Sequence, residues 1–177
     1  MTRLEKLLNR CFQHKVVVNC DRDPYLYRWY IFRTKRVALF LHKFVRSDED
    51  RALHDHPWAF LVIPIWRGYV EHIQKRVSRR TQPSVKNGFQ WHENWVTTEP
   101  SKRRVWPIIG MRYRRATYRH RVELFRQVLK RRGSWIIQTK ELPSWSFFFR
   151  FRETRTWGFW PKEGFIAWNK WWQNNCE

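Results

Sequence analysis

Long apolar runs are missing from this chain of 177 residues; none approaches the roughly 20 that a membrane-spanning helix needs. Cysteine is scarce as well. Cys11, Cys20 and Cys176 form an odd, scattered set with no CxxC pair, which argues against a disulfide framework and against a cysteine-type zinc site. The first ten residues have neither a continuous apolar segment nor a small-residue cleavage site, so no secretory leader is expected. A cytoplasmic, reducing setting is the default expectation, with no membrane partner. No repeat, low-complexity block or linker divides the chain. A single domain is therefore expected over 1–177: an N-terminal helix and lead-in over 1–24, a β-barrel over 25–160 and a Trp-rich tail over 161–177.

Acidic side chains are the third shortage. Fifteen Asp and Glu stand against 36 Lys and Arg, a net charge of +21. Residues 101–155 alone hold 16 basic and three acidic side chains, a local +13. A field of that size concentrates anions at the surface and speeds their encounter. The expected partner is nucleic acid, a nucleotide, or another phosphorylated or carboxylated molecule; at any one position a solvated arginine is the plain alternative. What is abundant is aromatic: 13 Trp, 13 Phe and 6 Tyr in a chain that is 42% apolar. That composition is far from a disordered one, and bulky flat rings favour strands over helices.

Thr2 followed by Glu5 fits a capping box, and Leu4, Leu7, Leu8, Cys11 and Phe12 recur at helical spacing, so residues 3–13 read as one amphipathic helix packed outside a sheet. Residues 25–32 and 37–44 are short aromatic and β-branched runs that predict a hairpin. Residues 58–66 predict a strand, Arg67-Gly68 a turn and residues 69–76 the returning strand; Pro57 and Pro64 predict a bulge or an edge. Asn87-Gly88 reads as a hairpin turn, with Trp91, Trp95 and Trp106 as anchors. Residues 111–124 read as one further strand, 125–132 as a basic helical turn or loop, 135–139 and 145–152 as strands. The tail at 165–172 is expected to close one end of the barrel. Many short strands and almost no helix predict a sandwich or barrel.

His54-Asp55-His56 places two imidazoles at i and i+2, on one face of a strand with Asp55 on the other. Trp58, Phe60 and Val62 share that face and make it dry. In the alternating segment 116–124, His120 falls on the side of Tyr118, Val122 and Leu124, while Arg119, Arg121 and Glu123 face out. A lone inward histidine is commonly a hydrogen-bonded core residue; beside a His-x-His pair it becomes a candidate third ligand. His42 is a candidate support for the pair, and His14, His72 and His92 read as surface or structural. Glu71 is set aside as a ligand, because a tight turn at Arg67-Gly68 pairs it near Pro64, roughly 25 Å along the strand from His56.

These residues resemble the cupin motifs. Gly68 stands where the first motif has its glycine, Leu61 occupies the position of the usual Glu, and His120 matches the second motif's histidine. The resemblance implies an all-β cupin-type double-stranded β-helix, a jelly-roll barrel with a short N-terminal helix. It also implies a three-histidine metal site similar in ligand set to the cysteine dioxygenase-like cupins. Residues 41–58, 66–72, 115–124, 155–160 and 163–168 together resemble an uncharacterised cupin-like family of tailed phages and bacteria. That implies a phage-type protein working in the cytoplasm of a bacterial host.

Three neutral imidazoles leave a divalent ion its full charge and open positions. Fe(II) is the favoured metal, with Zn or Ni as alternatives. Arg112 and Arg114, which share parity with His120 on an unbroken strand, are candidates to clamp an anion. Tyr118 is a candidate acid. Arg155, next to Trp157, pairs a cation with a stacking surface, and Trp58 completes the candidate substrate contacts. The expected function is that of a metal-dependent, oxygenase-like cupin acting on a small anionic substrate. The alternative is a basic nucleic-acid or nucleotide-binding phage accessory protein with a structural metal. A homodimer is compatible with either.

Overall fold

The computed structural model describes residues 2–18, 22–48, 52–80, 84–86, 89–91, 94–130, 137–162 and 164–176. The chain opens with α1 (Arg3–Cys11), started by the expected capping box: Glu5 N–H donates to Thr2 Oγ1 at 3.3 Å and Thr2 N–H donates to Glu5 Oε2 at 2.7 Å. Leu8 and Phe12 lie against a buried cluster of Trp29, Leu41 and Trp145, while Leu4 and Leu7 stay exposed. Then follow β1 (His14–Val18), β2 (Pro24–Arg33), β3 (Ala38–Phe44), β4 (Leu53–His54), β5 (Trp58–Trp66) and β6 (Tyr69–Arg80). The middle holds β7 (Ser84–Lys86), β8 (Phe89–Trp91), β9 (Asn94–Val105), β10 (Arg112–Arg114) and β11 (His120–Glu123). The chain ends with β12 (Arg126–Lys130), β13 (Ile137–Glu141), β14 (Ser144–Glu153), β15 (Gly158–Trp160), β16 (Ile166–Ala167) and α2 (Trp168–Cys176).

Among the described residues the strands form two six-stranded antiparallel sheets, β1-β2-β3-β14-β5-β10 and β16-β15-β4-β11-β6-β9, with β12–β13 and β7–β8 as separate pairs. The chain steps directly from one large sheet to the other at β3–β4, β4–β5, β5–β6, β9–β10, β10–β11 and β14–β15. This is an all-β, jelly-roll-like fold. Alternation along the strands sorts side chains between two faces. On β2, β3 and β14, Trp29, Leu41 and Trp145 pack under α1; neighbouring positions place Phe40 and Phe148 in a core with Ala38, Phe60 and Val62. No helix among the described residues is long and apolar enough to cross a membrane.

Three expectations need correction. Residues 58–66 and 69–80 are both strands, but they do not form a hairpin. The turn at Arg67 and Gly68, both at positive φ, hands the chain from one sheet to the other. Gly68 is required there, since a Cβ would stand 2.0 Å from Val105 O. Residues 111–124 are not one strand: β10 pairs with β5 and β11 with β4 and β6, so Arg112 and Arg114 do not share a face with His120 by parity. Residues 126–130 are a strand paired with β13, neither helical turn nor loop. The tail runs from β16 into α2, and Trp168, Trp171 and Trp172 line the cavity described below. At Pro64 the pairing of β5 with β14 shifts register, and on the other side of β5 the ladder with β10 reaches only Phe60–Val62, in line with the expected bulge or local edge. The Asn87-Gly88 turn and His92 lie outside the described residues.

Candidate metal centre and its cavity

Three short pairings bring the histidines together. His120 on β11 sits opposite His54 on β4, and His54 in turn sits opposite Phe159 on β15. β4 ends at His54, so His56 is not held by a ladder; its N–H donates to Ala116 O at 3.2 Å. Between the two rings Asp55 turns the other way and is fully buried. It accepts from Arg155 Nη1 at 2.5 Å, Trp160 Nε1 at 2.9 Å and Gly158 N–H at 3.0 Å. Asp55 thus locks the His-x-His turn to β15, and the alternation expected from the sequence survives without a full strand.

One nitrogen from each of His54, His56 and His120 lies within 4.8 Å of the others, and the Nε2 atoms of His56 and His120 are 2.8 Å apart. Two nitrogens at right angles on an ion, at about 2.1 Å each, stand about 3 Å apart, so the donor set fits one divalent metal. Burial holds His56 well below the usual imidazole range, with the neighbouring His120 and His54 adding to the effect. Burial likewise pulls His54 down to about 4, against the opposing charge of Asp48. Both rings are therefore neutral at neutral pH, as ligation requires.

The rings are braced from behind. His120 Nδ1 donates to Glu71 Oε1 at 3.0 Å, which leaves its Nε2 lone pair for the centre. Glu71 is buried, and burial works against its charge. Hydrogen bonds from His120 and Arg103, with the charge of Arg114, nonetheless hold it well below the usual carboxylate range. On the other side, Asp48 Oδ2 lies 3.8 Å from His54 Nδ1 and accepts from Val122 N–H at 2.7 Å. Neither carboxylate was legible as a brace. A β5–β6 hairpin would set Glu71 far from His56. In fact β11 lies between β4 and β6, pairs Val122 with Glu71, and carries the carboxylate to the back of His120.

The imidazoles form one wall of a cavity of about 370 Å³. Its other walls are largely aromatic, with Trp58, Phe148, Trp157 and Phe159 joined by Trp168, Trp171 and Trp172 from α2. Trp157 stacks on Trp168 at 6.0 Å and Phe159 on Trp171 at 4.7 Å, so the tail closes onto β15. Of the residues singled out in the sequence, Trp58 and Trp157 line this cavity with the three histidines; Arg112, Arg114, Arg155 and Tyr118 are placed elsewhere. Arg112 Nη1 donates to Met111 O at 2.8 Å, and Arg114 Nη2 to Glu71 at 3.2 Å. Arg155 is held by Asp55. The Tyr118 ring lies 5.4 Å from His120 with its hydroxyl accepting from Arg103 at 3.0 Å, and burial beside Glu71 pushes its pKa up to about 12. Two further residues line the cavity: His42, a candidate support for the pair, and Arg28, which sequence reasoning misses because on an alternating strand an inward arginine looks like any outward one.

No family model matches the chain, and a search of the curated proteins finds no relative. Among solved structures, the Fe(II) form of HppE matches with a TM-score of 0.40 at 10% identity, covering 80% of this chain and 57% of that one. Fe(II)-HppE with the alternative substrate (S)-1-HPP gives 0.39 at 10%, covering 80% and 56%. Hydroxypropylphosphonic acid epoxidase from S. wedmorenis gives 0.37 at 9%, covering 78% and 55%. This chain spans little more than half the length of those proteins. A likeness so distant carries no argument about chemistry, and the functional reading rests on the chain's own side chains.

Proposed function

We propose that this chain is a metal-dependent enzyme of the cupin type, oxygenase-like, acting on a small anionic substrate bound in the cavity. The observation that carries the reading is the convergence of three imidazoles, from two separate segments, on the wall of an aromatic cavity. His54, His56 and His120 would hold the ion, with iron(II) favoured and zinc or nickel as alternatives. Such an ion supplies dioxygen redox chemistry if it is iron and Lewis-acid polarisation if it is zinc or nickel. The chain's own contribution is positional and electrostatic. Glu71 holds the His120 tautomer, Asp48 flanks His54, and Trp58 and Trp157 offer flat surfaces to the substrate. Walls of this kind lower the local dielectric and strengthen each polar contact made inside.

Elemental analysis of protein purified without added metal tests this. About one divalent ion per chain is expected, falling to near zero in His120→Ala and His54→Ala; wild-type protein that takes up no metal overturns it. The net charge of +21 favours a second reading, a basic nucleic-acid or nucleotide-binding accessory protein with a structural metal. Salt-sensitive oligonucleotide retention that chelation leaves unchanged would support that reading instead.

A further inference from the structure

The arginines around the metal centre differ in one respect. Arg103 and Arg114 pair with Glu71, and Arg155 pairs with Asp55. Arg28, on β2, lines the cavity itself, and no carboxylate of the described residues stands within ion-pair distance of it. Its Nε donates to His42 Nε2 at 2.9 Å, and its guanidinium carbon lies 4.9 Å from the centre of the Phe40 ring. Burial lowers its pKa, opposed by the charge and hydrogen bond of the Tyr30 phenol and by Tyr25, but a guanidinium keeps its proton at neutral pH, and neither phenol is a counter-ion there. An uncompensated charge in such a place is costly unless a counter-charge arrives.

The rest of the cavity points the same way. Because Arg28 donates to His42 Nε2, the His42 proton is on Nδ1, and that buried atom has no hydrogen-bond partner among the described residues. Trp58 Nε1, on another lining residue, has none either. Asp48, the one carboxylate lining the cavity among the described residues, already accepts from Val122. Apart from the imidazole nitrogens, the cavity is thus rich in donors and poor in acceptors, with flat aromatic walls. Lys15 adds a second cation at its margin.

We infer that the cavity takes a flat organic anion, an aromatic body carrying a carboxylate or phosphate, whose oxygens are received by the Arg28 guanidinium while the body lies between tryptophans. The inference rests on the proposed function for what happens at the other end of the ligand, which faces the three histidines. The amino groups of Arg28 beyond Nε offer the planar fork that two anionic oxygens fit. A volume of about 370 Å³ is at the small end for ligand pockets, so the ligand is compact. Arg28 is then the specificity-determining residue, in place of the arginines singled out from the sequence.

Isothermal titration calorimetry on the full chain, with and without EDTA, tests this with benzoate, phenylacetate, indole-3-acetate and phenyl phosphate. Each is set against a neutral counterpart: the amide of each acid, and phenol for the phosphate. At least one anion is expected to bind at least about tenfold more tightly than its counterpart, and Arg28→Met is expected to erase that preference while metal content stays at the wild-type level. If the protein holds no metal but the Arg28-dependent preference persists in EDTA, the enzyme reading falls and the anion site stands. If no anion outbinds its counterpart, or the preference survives in a folded Arg28→Met, the inference is overturned. Should Arg28→Met not melt cooperatively, Arg28→Lys decides: it keeps the charge without the fork, so the preference must drop at least threefold, and an unchanged preference overturns the inference.

Discussion

Replacing Asp55 with alanine is expected to be among the most destabilising single changes near the metal centre, and the reason can be worked through. The carboxylate is fully buried and receives three donors: Arg155 Nη1, Gly158 N–H and Trp160 Nε1. Removing it leaves a buried N–H on Gly158 and an indole N–H without that acceptor, and a guanidinium with only the long contact from Arg155 Nη1 to Ala116 O at 3.5 Å. Breaking a buried ion pair from one side costs about 3–5 kcal/mol, and a hydrogen bond to a charged group contributes about 1.5–3 kcal/mol. The terms share one carboxylate and do not add. The Arg155 side chain is 29% exposed and can turn partly to water, which trims the loss. A total of about 4 kcal/mol results. In a chain of 177 residues each kcal/mol shifts Tm by about 2–4 °C, so Asp55→Ala should melt about 8–16 °C below wild type. Asp55→Asn keeps an oxygen acceptor and should lose about half as much. The assay is thermal unfolding by circular dichroism in EDTA, so that metal binding does not shift the midpoint. An Asp55→Ala midpoint within about 3 °C of wild type would refute the reasoning, since it would mean the three donors find water as readily as they find Asp55.

Glu71→Gln should still accept from His120 but loses the charge that orients the ring and raises its basicity. Metal affinity measured by chelator competition is expected to fall about 10–100-fold, and an unchanged affinity would show that the contact is incidental. Stability should also depend on pH in a defined window. Burial lowers the folded-state pKa of His42 and His56 well below 6.5 and that of His54 to about 4, so the unfolded chain binds these protons first. Their contribution is complete above about pH 6.5 and is lost as pH falls toward 4, at up to about 1.4 kcal/mol per pH unit for each ring. Denaturant unfolding in EDTA should therefore show about 4 kcal/mol less stability at pH 5.5 than at pH 7.5; a flat profile would mean that the rings are hydrated.

Much of the fold was legible because its signals are local. The Thr2–Glu5 box, the hairpin over 25–44 and the strands over 58–66, 69–76 and 145–152 follow from side-chain periodicity and from turn residues, and chain neighbours decide both. The His-x-His pair was legible for the same reason: alternation sends His54 and His56 one way and Asp55 the other whether or not the strand continues. His120 was legible as an inward histidine through its alternation with Arg119, Arg121 and Glu123. The helix at 168–176 was not, because tryptophan-rich helix and strand look alike over so short a stretch.

The sequence by itself determined that His54, His56 and His120 turn one way and Asp55 the other, and its short aromatic strands determined the class of fold. Only the tertiary structure decided what those side chains meet. Sheet assignment is set by long-range pairing, which no local pattern encodes: one turn at Gly68 sends Glu71 into the sheet that holds His120, and one break after Arg114 separates two arginines from that same face. The charges divide the same way. Arg155 and Arg28 read alike as letters, yet Asp55 neutralises one, while the other lines the cavity with no carboxylate of the described residues within ion-pair distance.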